Sequence, residues 1–198
     1  MKTYVATKNQ GKLLEIRTMF AGSALALETY AAYADPDEGE TSYVENALLK
    51  ARALREQLCA AGISGAAVLA DDSGIEIDAF GGAPGVLSAR YAGESTSWPD
   101  RRAFLLHELD GVAAAGRGAR FVCVMALILP DGNEIAVRGD VDGRIAEHER
   151  GDQGFGYDPV FYYPPIGCTF AEIPEREKND LSHRGRAARA LLQALESR

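Results

Sequence analysis

The chain has 198 residues, of which 46% are hydrophobic and 25% are charged, and its formal net charge is −8. This composition is typical of a single globular domain, here residues 1–198, with a core of useful size. The negative charge argues against a surface that binds nucleic acid or an anionic membrane, and no apolar run is long enough to span a bilayer.

The first sixty residues predict alternating strands and helices. A short strand, Tyr4–Ala6, precedes a polar loop, Thr7–Lys12, and apolar residues then recur at helical spacing. A second strand is predicted at Leu25–Tyr30. Ser42 and Glu45 form a capping-box pattern, which predicts the start of a long helix.

The rest of the chain predicts a mixed sheet. Ala66–Ala70 is typical of a buried strand that stops at two carboxylates, and the alternation after it indicates a second strand or a hairpin return. Phe121–Leu129 predicts a central strand, and the turn signal Pro130–Asn133 predicts a hairpin. Further elements are expected at Pro99–Leu109 (helix), Val160–Tyr162 (strand) and from Ser182 onward (helix). The fold class predicted is therefore α/β with a mixed sheet.

Two adjacent carboxylates, Asp71 and Asp72, stand where the buried strand is expected to end. A polar turn is one interpretation, since Asp, Ser and Gly are common turn residues. A cation site is the other. Mg²⁺ usually takes one or two protein carboxylates together with substrate phosphates, and the acidic loop near Glu38 or Glu40 could supply a second one.

Three further polar segments indicate ligand binding. TKNQGK opens a helix, whose N-terminus favours anions, although the segment is not a Walker loop. GDQGFGYDP contains Phe155 and Tyr157, which could stack on a base or plug a core edge. EKNDLSHRGR gathers basic residues where a helix begins, and His183 and Arg184 there oppose the helix dipole.

A fourth segment, GDVDGR at Gly139–Arg144, resembles the nucleophile loop of aspartyl-phosphate phosphatases. That loop should follow a buried apolar strand and end in Thr or Val, whereas Arg138 precedes this one and Arg144 ends it. A hairpin turn is therefore favoured over a nucleophilic Asp140.

Five motifs, in order along nearly the whole chain, resemble those of the inosine/xanthosine triphosphate pyrophosphatase family. They are TKNQGK at Thr7–Lys12, ENALLKA at Glu45–Ala51, DDSG through RYAG at Asp71–Gly93, GFGYDPVF at Gly154–Phe161, and TFAE with EKNDLSHRGRA at Thr169–Glu172 and Glu177–Ala187. The resemblance implies hydrolysis of deaminated purine triphosphates (ITP, dITP and XTP) to the monophosphate and pyrophosphate. It also implies Mg²⁺ dependence, a homodimer, and an elongated mixed sheet with a cleft between two lobes.

The resemblance carries roles over to individual residues. Asp72 is implied as the general base and a magnesium ligand, and Glu38 is the candidate second ligand, with Glu40 left open. The implied substrate contacts are Thr7, Lys8, Asn9, Gln10, Gly11, Lys12, Ser73, Phe155, Gly156, Tyr157, Asp158, Lys178, His183 and Arg184. Among these, Lys178, His183 and Arg184 are suitable donors to the keto oxygen of the base.

Three other functions stay open. A related pyrophosphatase of the septum-inhibitor type would act on modified pyrimidine nucleotides, a nucleotide sensor would bind without turnover, and an aspartyl-phosphate phosphatase would use Asp140. The three cysteines, Cys59, Cys123 and Cys168, are scattered and odd in number, so they indicate neither a disulfide framework nor a zinc site, and a cytoplasmic location is expected.

Overall fold

The computed structural model describes all 198 residues. Its α-helices and strands alternate in the manner of an α/β protein, as predicted. In chain order they are β1 (Lys2–Val5), α1 (Gln10–Met19), β2 (Ala26–Thr29), α2 (Tyr43–Ala60), β3 (Ala67–Ile77), β4 (Pro84–Gly85), α3 (Trp98–Glu108), β5 (Gly118–Ile128), β6 (Glu134–Ile145), β7 (Phe161–Tyr163), β8 (Cys168–Thr169), α4 (Glu175–Leu181) and α5 (His183–Glu196). None of these helices has the length and apolar character needed to cross a membrane.

The eight strands form one mixed sheet, which confirms the predicted fold class. The strand order is β2-β1-β3-β5-β6-β7-β8, with β4 paired to β3. β1 is parallel to both β2 and β3, with Thr3 opposite Leu27 and Ala67. β4 is antiparallel to β3, and β7 is antiparallel to both β6 and β8.

The chain divides into two compact units. The first comprises Met1–Asp72, Cys123–Gly139 and Arg184–Arg198. Its core contains apolar residues of α1, α5 and the strands between them, because the buried stripe of each helix needs an apolar partner surface. The members of this core are Val5, Leu13, Ile16, Phe20, Leu25, Ala67, Leu69, Cys123, Met125, Leu127, Ala187, Ala188 and Leu191.

The second unit comprises Ser73–Val122 and Asp140–His183. Its core is rich in aromatic side chains, of which Phe121, Phe161 and Phe170 lie with ring centroids 4.3 to 6.2 Å apart. Such ring pairs add to the stabilisation given by area burial alone. The boundary between the units falls within strand β3.

Strand β3 is longer than predicted, and this corrects our expectation of a strand that ends at Ala70. It runs without interruption from Ala67 to Ile77, so both carboxylates lie inside it. No turn is needed because successive side chains of a strand point to opposite faces, and each carboxylate finds its own partners. Gly74 follows them because a Cβ there would lie 2.1 Å from the carbonyl oxygen of Gly85 in β4.

One other local prediction was wrong, and one helix was missed. Gly139–Arg144 lies within strand β6 and forms no hairpin turn. The turn before that strand is at Pro130–Asn133, as predicted, where Leu129 N–H donates to the carbonyl of Asn133 at 2.9 Å. Helix α4 was missed because it has only seven residues and its sequence, EREKNDL, lacks an apolar period.

Candidate active site

In the first unit, the Asp72 carboxylate is held by helix α2. Lys50 Nζ lies 2.8 Å from Asp72 Oδ1, and Asn46 Nδ2 donates to Asp72 Oδ2 at 3.3 Å. Both partners project from the same helix, which begins where Ser42 Oγ accepts the N–H of Glu45, as the capping pattern predicted. Asp72 is only 4% exposed, so its carboxylate is buried, and each of its two oxygens has a partner.

Lys50 connects the two candidate metal ligands. Its ammonium lies 3.2 Å from Glu38 Oε1 and also donates to the carbonyl of Asp71 at 3.3 Å. Burial by itself lowers the pKa of Lys50, but Asp72, Asp71 and Glu38 together raise that pKa above its ordinary value. The Asp72 and Glu38 carboxylates thus share one ammonium group. One negative charge of these three side chains is left over and attracts a cation.

Lys50 was not predicted as a site residue, although its sequence context carried a signal. The residue lies among Ala47, Ala51 and Leu54 on the buried face of α2. A lysine on an otherwise apolar face is rarely buried unless it is paired.

The acidic loop is fastened to the same helix. Gly39 N–H donates to Asn46 Oδ1 at 2.8 Å, and Asn46 Nδ2 donates to the carbonyl of Gly39 at 3.0 Å. Glu38 is therefore held near Asp72, because Lys50 contacts both carboxylates. Glu40, by contrast, is exposed. Asn46 orients the loop and the Asp72 carboxylate at once.

The donor set fits a magnesium ion that is completed by substrate. No three His, Cys, Asp or Glu side chains group to form a site made of protein ligands alone. Mg²⁺ does not require such a site, because it usually keeps waters and binds one or two carboxylates together with substrate phosphates. Asp72 and Glu38 are the residues that would hold it.

Asp71 points to the opposite face of β3 and belongs to a separate charge cluster. Lys12 Nζ lies 3.1 Å from Asp71 Oδ2, and Arg184 Nη2 lies 3.3 Å from the same atom. Arg184 Nη1 lies 2.5 Å from Glu15 Oε2. Burial by itself raises the pKa of Asp71, but Lys12 and Arg184 hold it well below its usual range. The Arg184 guanidinium is therefore engaged by two buried carboxylates.

The TKNQGK loop forms the N-terminus of α1, as expected. Asn9 caps the helix, with its Oδ1 accepting the N–H of Lys12 at 3.1 Å, and Thr7 Oγ1 accepts the N–H of Asn9 at 3.2 Å. Lys8 reaches Asp35 at 3.1 Å. Gln10 and Gly11 form the first turn, whose N–H groups and dipole favour an anion.

In the second unit, a tight turn presents Phe155. Asp158 Oδ2 accepts the N–H of Phe155 at 2.8 Å and pairs with the ammonium of Lys178, which lies 4.7 Å from the Phe155 ring centroid. Gly154 has a φ of +70°, and a Cβ there would lie 2.3 Å from Asp158 Oδ2. Asp158 therefore sets the turn, and its buried charge is matched by Lys178.

Of the two aromatic rings in this loop, that of Phe155 is the more exposed. Tyr157 is 3% exposed, and its hydroxyl donates to the carbonyl of Ser88 at 3.0 Å. Its ring packs edge-on against Trp98, with centroids 5.3 Å apart. Burial also raises the pKa of Tyr157. Phe155, by contrast, is only partly buried.

Two further candidate contacts also lie in this unit. His183 begins α5 and stacks on Phe121, with ring centroids 4.5 Å apart and planes 17° apart. Ser73 is a partly buried residue of β3. The structure thus places Glu38, Asp72 and the TKNQGK loop in the first unit, and Phe155, Asp158 and Lys178 together in the second.

Comparison with known proteins gives matches over almost the whole chain. The family model described as the Ham1 family matches residues 3–194. A dITP/XTP pyrophosphatase of Methylococcus capsulatus is 46% identical over 200 residues, covering 99% of this chain and 96% of that protein. A dITP/XTP pyrophosphatase of Thermus thermophilus is 46% identical over 196 residues, covering 98% of this chain and 91% of that protein.

Solved structures agree with this result. A HAM1 protein from Coxiella burnetii superimposes with a TM-score of 0.84 at 36% identity, with both chains covered completely. The Staphylococcus aureus Ham1 protein gives a TM-score of 0.82 at 36% identity, covering 100% of this chain and 99% of that one.

Proposed function

The chain belongs to the Ham1 family, and we propose on this premise that it hydrolyses deaminated purine nucleoside triphosphates. ITP, dITP and XTP are converted to the monophosphate and pyrophosphate, which removes these nucleotides from the pool used for nucleic acid synthesis. The relatives named dITP/XTP pyrophosphatases support this substrate class. The observation that carries the proposal is the pair of carboxylates, Asp72 and Glu38, that share the ammonium of Lys50.

In this mechanism Asp72 and Lys12, with the residues that hold them, act on the triphosphate. Asp72 orients a water molecule and accepts its proton, while Lys50 and Asn46 hold the carboxylate in place. Lys12 and the N-terminus of α1 bind phosphate oxygens. Asp72 and Glu38 would hold Mg²⁺, which would supply charge stabilisation when bound. Phosphoryl chemistry needs mainly such positioning and charge stabilisation.

The bond that breaks is the anhydride between the α and β phosphates. Water adds at phosphorus as that P–O bond breaks, and the products are the nucleoside monophosphate and pyrophosphate. A sensor without turnover would need no proton acceptor, so the partnered carboxylate of Asp72 favours an enzyme.

A separate group of residues around the GFGYDP loop is proposed to bind the base. Phe155 stacks on the purine ring, and Lys178 and His183 are the proposed donors to the base. The Lys178 ammonium lies 4.7 Å from the Phe155 ring centroid, and His183 stacks on Phe121. Gly156, Asp158 and Ser73 complete the proposed contacts. Hypoxanthine and xanthine carry a keto oxygen at C6, where adenine carries an amino group. A donor facing that position is therefore satisfied by a deaminated base and left unpaired by adenine.

Product analysis tests the reaction. Incubation of ITP with the protein and Mg²⁺ is expected to yield IMP and pyrophosphate in equal amounts, measured by anion-exchange chromatography. Because an unpaired buried donor costs roughly 1–3 kcal/mol, kcat/KM for ITP, dITP and XTP should exceed that for ATP by about 5- to 150-fold.

Three results would contradict the proposal. Orthophosphate released directly from ITP would favour a phosphatase, faster hydrolysis of a modified pyrimidine triphosphate would favour the septum-inhibitor type, and equal kcat/KM for ATP and ITP would refute the assigned substrate.

We also expect activity to depend on Mg²⁺. Dialysis against EDTA should abolish turnover, and added Mg²⁺ should restore it. E38Q should raise the Mg²⁺ concentration for half-maximal activity, because one of the two carboxylates loses its charge. E40Q, measured in parallel, identifies which loop carboxylate is the ligand, since the larger shift belongs to the ligand. Full activity after EDTA dialysis would rule out the metal site.

The proposed setting is the cytoplasm, with the protein acting as a homodimer. All three cysteines are free, which fits a reducing compartment. The dimer rests on the family resemblance alone and is tested by sedimentation of the purified protein.

A further inference from the structure

Helix α3 contacts the back of the turn that presents Phe155. Arg102 Nη1 donates to the carbonyl of Gly156 at 2.9 Å. The same guanidinium lies 3.0 Å from Glu149 Oε1, and the Arg102 side chain is only 11% exposed. No motif in the sequence drew attention to this arginine.

The peptide that Arg102 holds is conformationally unusual. Gly156 has a φ of +63°, in the left-handed region that favours glycine. Indole atoms of Trp98, one turn before Arg102 on α3, lie 3.8 Å from the position of a Gly156 Cβ. Trp98 also packs against the ring of Tyr157. One face of α3 therefore supports two successive residues of the turn.

The hydrogen bond is well placed to control the neighbouring aromatic ring. A guanidinium makes stronger bonds than a neutral donor, and Glu149 is its ion-pair partner. Asp158, which is paired with Lys178, accepts the N–H of Phe155. Arg102 donates to the carbonyl of the next residue, Gly156. Phe155 is thus held on both sides.

We propose that Arg102 is a positioning residue for recognition of the base. By holding the Gly156 carbonyl it sets the orientation of Phe155, and it contacts none of the residues assigned to phosphate chemistry. This inference deepens the proposed function and rests on it. Loosening the turn should therefore weaken nucleotide binding and base selectivity while leaving the chemical step nearly unchanged.

The test compares three variants with the unmodified protein. R102M keeps the aliphatic stem and removes every donor, R102K keeps the charge and one donor group, and E149Q removes the negative partner but leaves the arginine. R102M should raise KM for ITP about tenfold, which corresponds to one charge-assisted hydrogen bond, and change kcat less than about twofold. The ITP/ATP ratio of kcat/KM should fall, R102K should restore part of the loss, and E149Q should have the smallest effect.

Binding can be measured without turnover. The chain contains one tryptophan, Trp98, so its fluorescence reports directly on this turn. Titration with the product IMP should give an affinity about tenfold weaker for R102M than for the unmodified protein.

The outcomes separate this inference from the function on which it rests. If the unmodified protein does not convert ITP to IMP and pyrophosphate, the proposed function is wrong. If it does, but R102M leaves KM, IMP affinity and the ITP/ATP ratio unchanged, or lowers only kcat, the role assigned to Arg102 is overturned. Should R102M fail to fold, R102Q supplies the same comparison, because its shorter side chain cannot reproduce the guanidinium contacts.

Discussion

Replacing Asp72 by Asn is expected to lower kcat for ITP by about 10²–10⁴-fold or more. Loss of a general base alone has an effect of that size, and this change also removes a charge from the metal site. The fold should survive, because Asn has the same shape and Lys50 keeps its contacts with Glu38 and the Asp71 carbonyl. Steady-state kinetics at saturating Mg²⁺, together with circular dichroism, measure both parts of the prediction.

Asp140 provides the matched control for this experiment. It lies in strand β6, outside the residues to which we assign chemistry. D140N should retain normal kcat and KM. A folded D72N with near-normal turnover would disprove the assignment of the base, and loss of activity in D140N instead would support the aspartyl-phosphate phosphatase.

Replacing Arg184 by Met is expected to reduce the free energy of unfolding by about 3–5 kcal/mol. The side chains of Asp71 and Glu15 are 0% and 4% exposed, so the change leaves two buried carboxylates without their shared partner. Urea unfolding followed by circular dichroism measures the difference. R186M is the control, because Arg186 is an exposed residue of the same helix, and loss of an exposed ion pair should change stability by no more than about 1 kcal/mol.

This experiment also decides what Arg184 does. The family resemblance implies a substrate contact, whereas the contacts in the first unit make it a structural counter-ion. An R184M protein as stable as the unmodified one but defective with ITP would favour the substrate role. Loss of stability as large as expected would show that the buried charge cluster depends on this guanidinium.

The pH dependence follows from the lowered pKa of Asp71. Although burial opposes them, Lys12 and Arg184 hold the pKa of Asp71 below the unfolded value of about 3.9. The ion pairs of Asp71 therefore contribute their full stability above that pH and lose it as the pH falls through the folded pKa. In R184M the buried carboxyl is no longer held so low and protonates more easily. The stability difference between the two proteins should therefore be greatest above about pH 4 and narrow below it.

Much of this protein could be predicted from local patterns. Three predicted features agree with the structure: the cap of α2, the apolar run of β5 and the turn at Pro130–Asn133. Each depends on interactions among a few neighbouring residues. The motifs also indicated the family, because five of them occur in order. Glu38 could not be separated from Glu40 in this way, since both belong to one acidic loop.

What the sequence by itself determined was the fold class, the family and the residues that carry charge or aromatic rings. Only the tertiary structure decided how those residues are paired. Asp71 and Asp72 are neighbours in sequence, yet the alternation of β3 sends one to Arg184, 113 residues away, and the other to Lys50, 22 residues away. Arg102 likewise meets Gly156 across 54 residues. Such pairings depend on how strands and helices pack over long separations, and no local pattern encodes them.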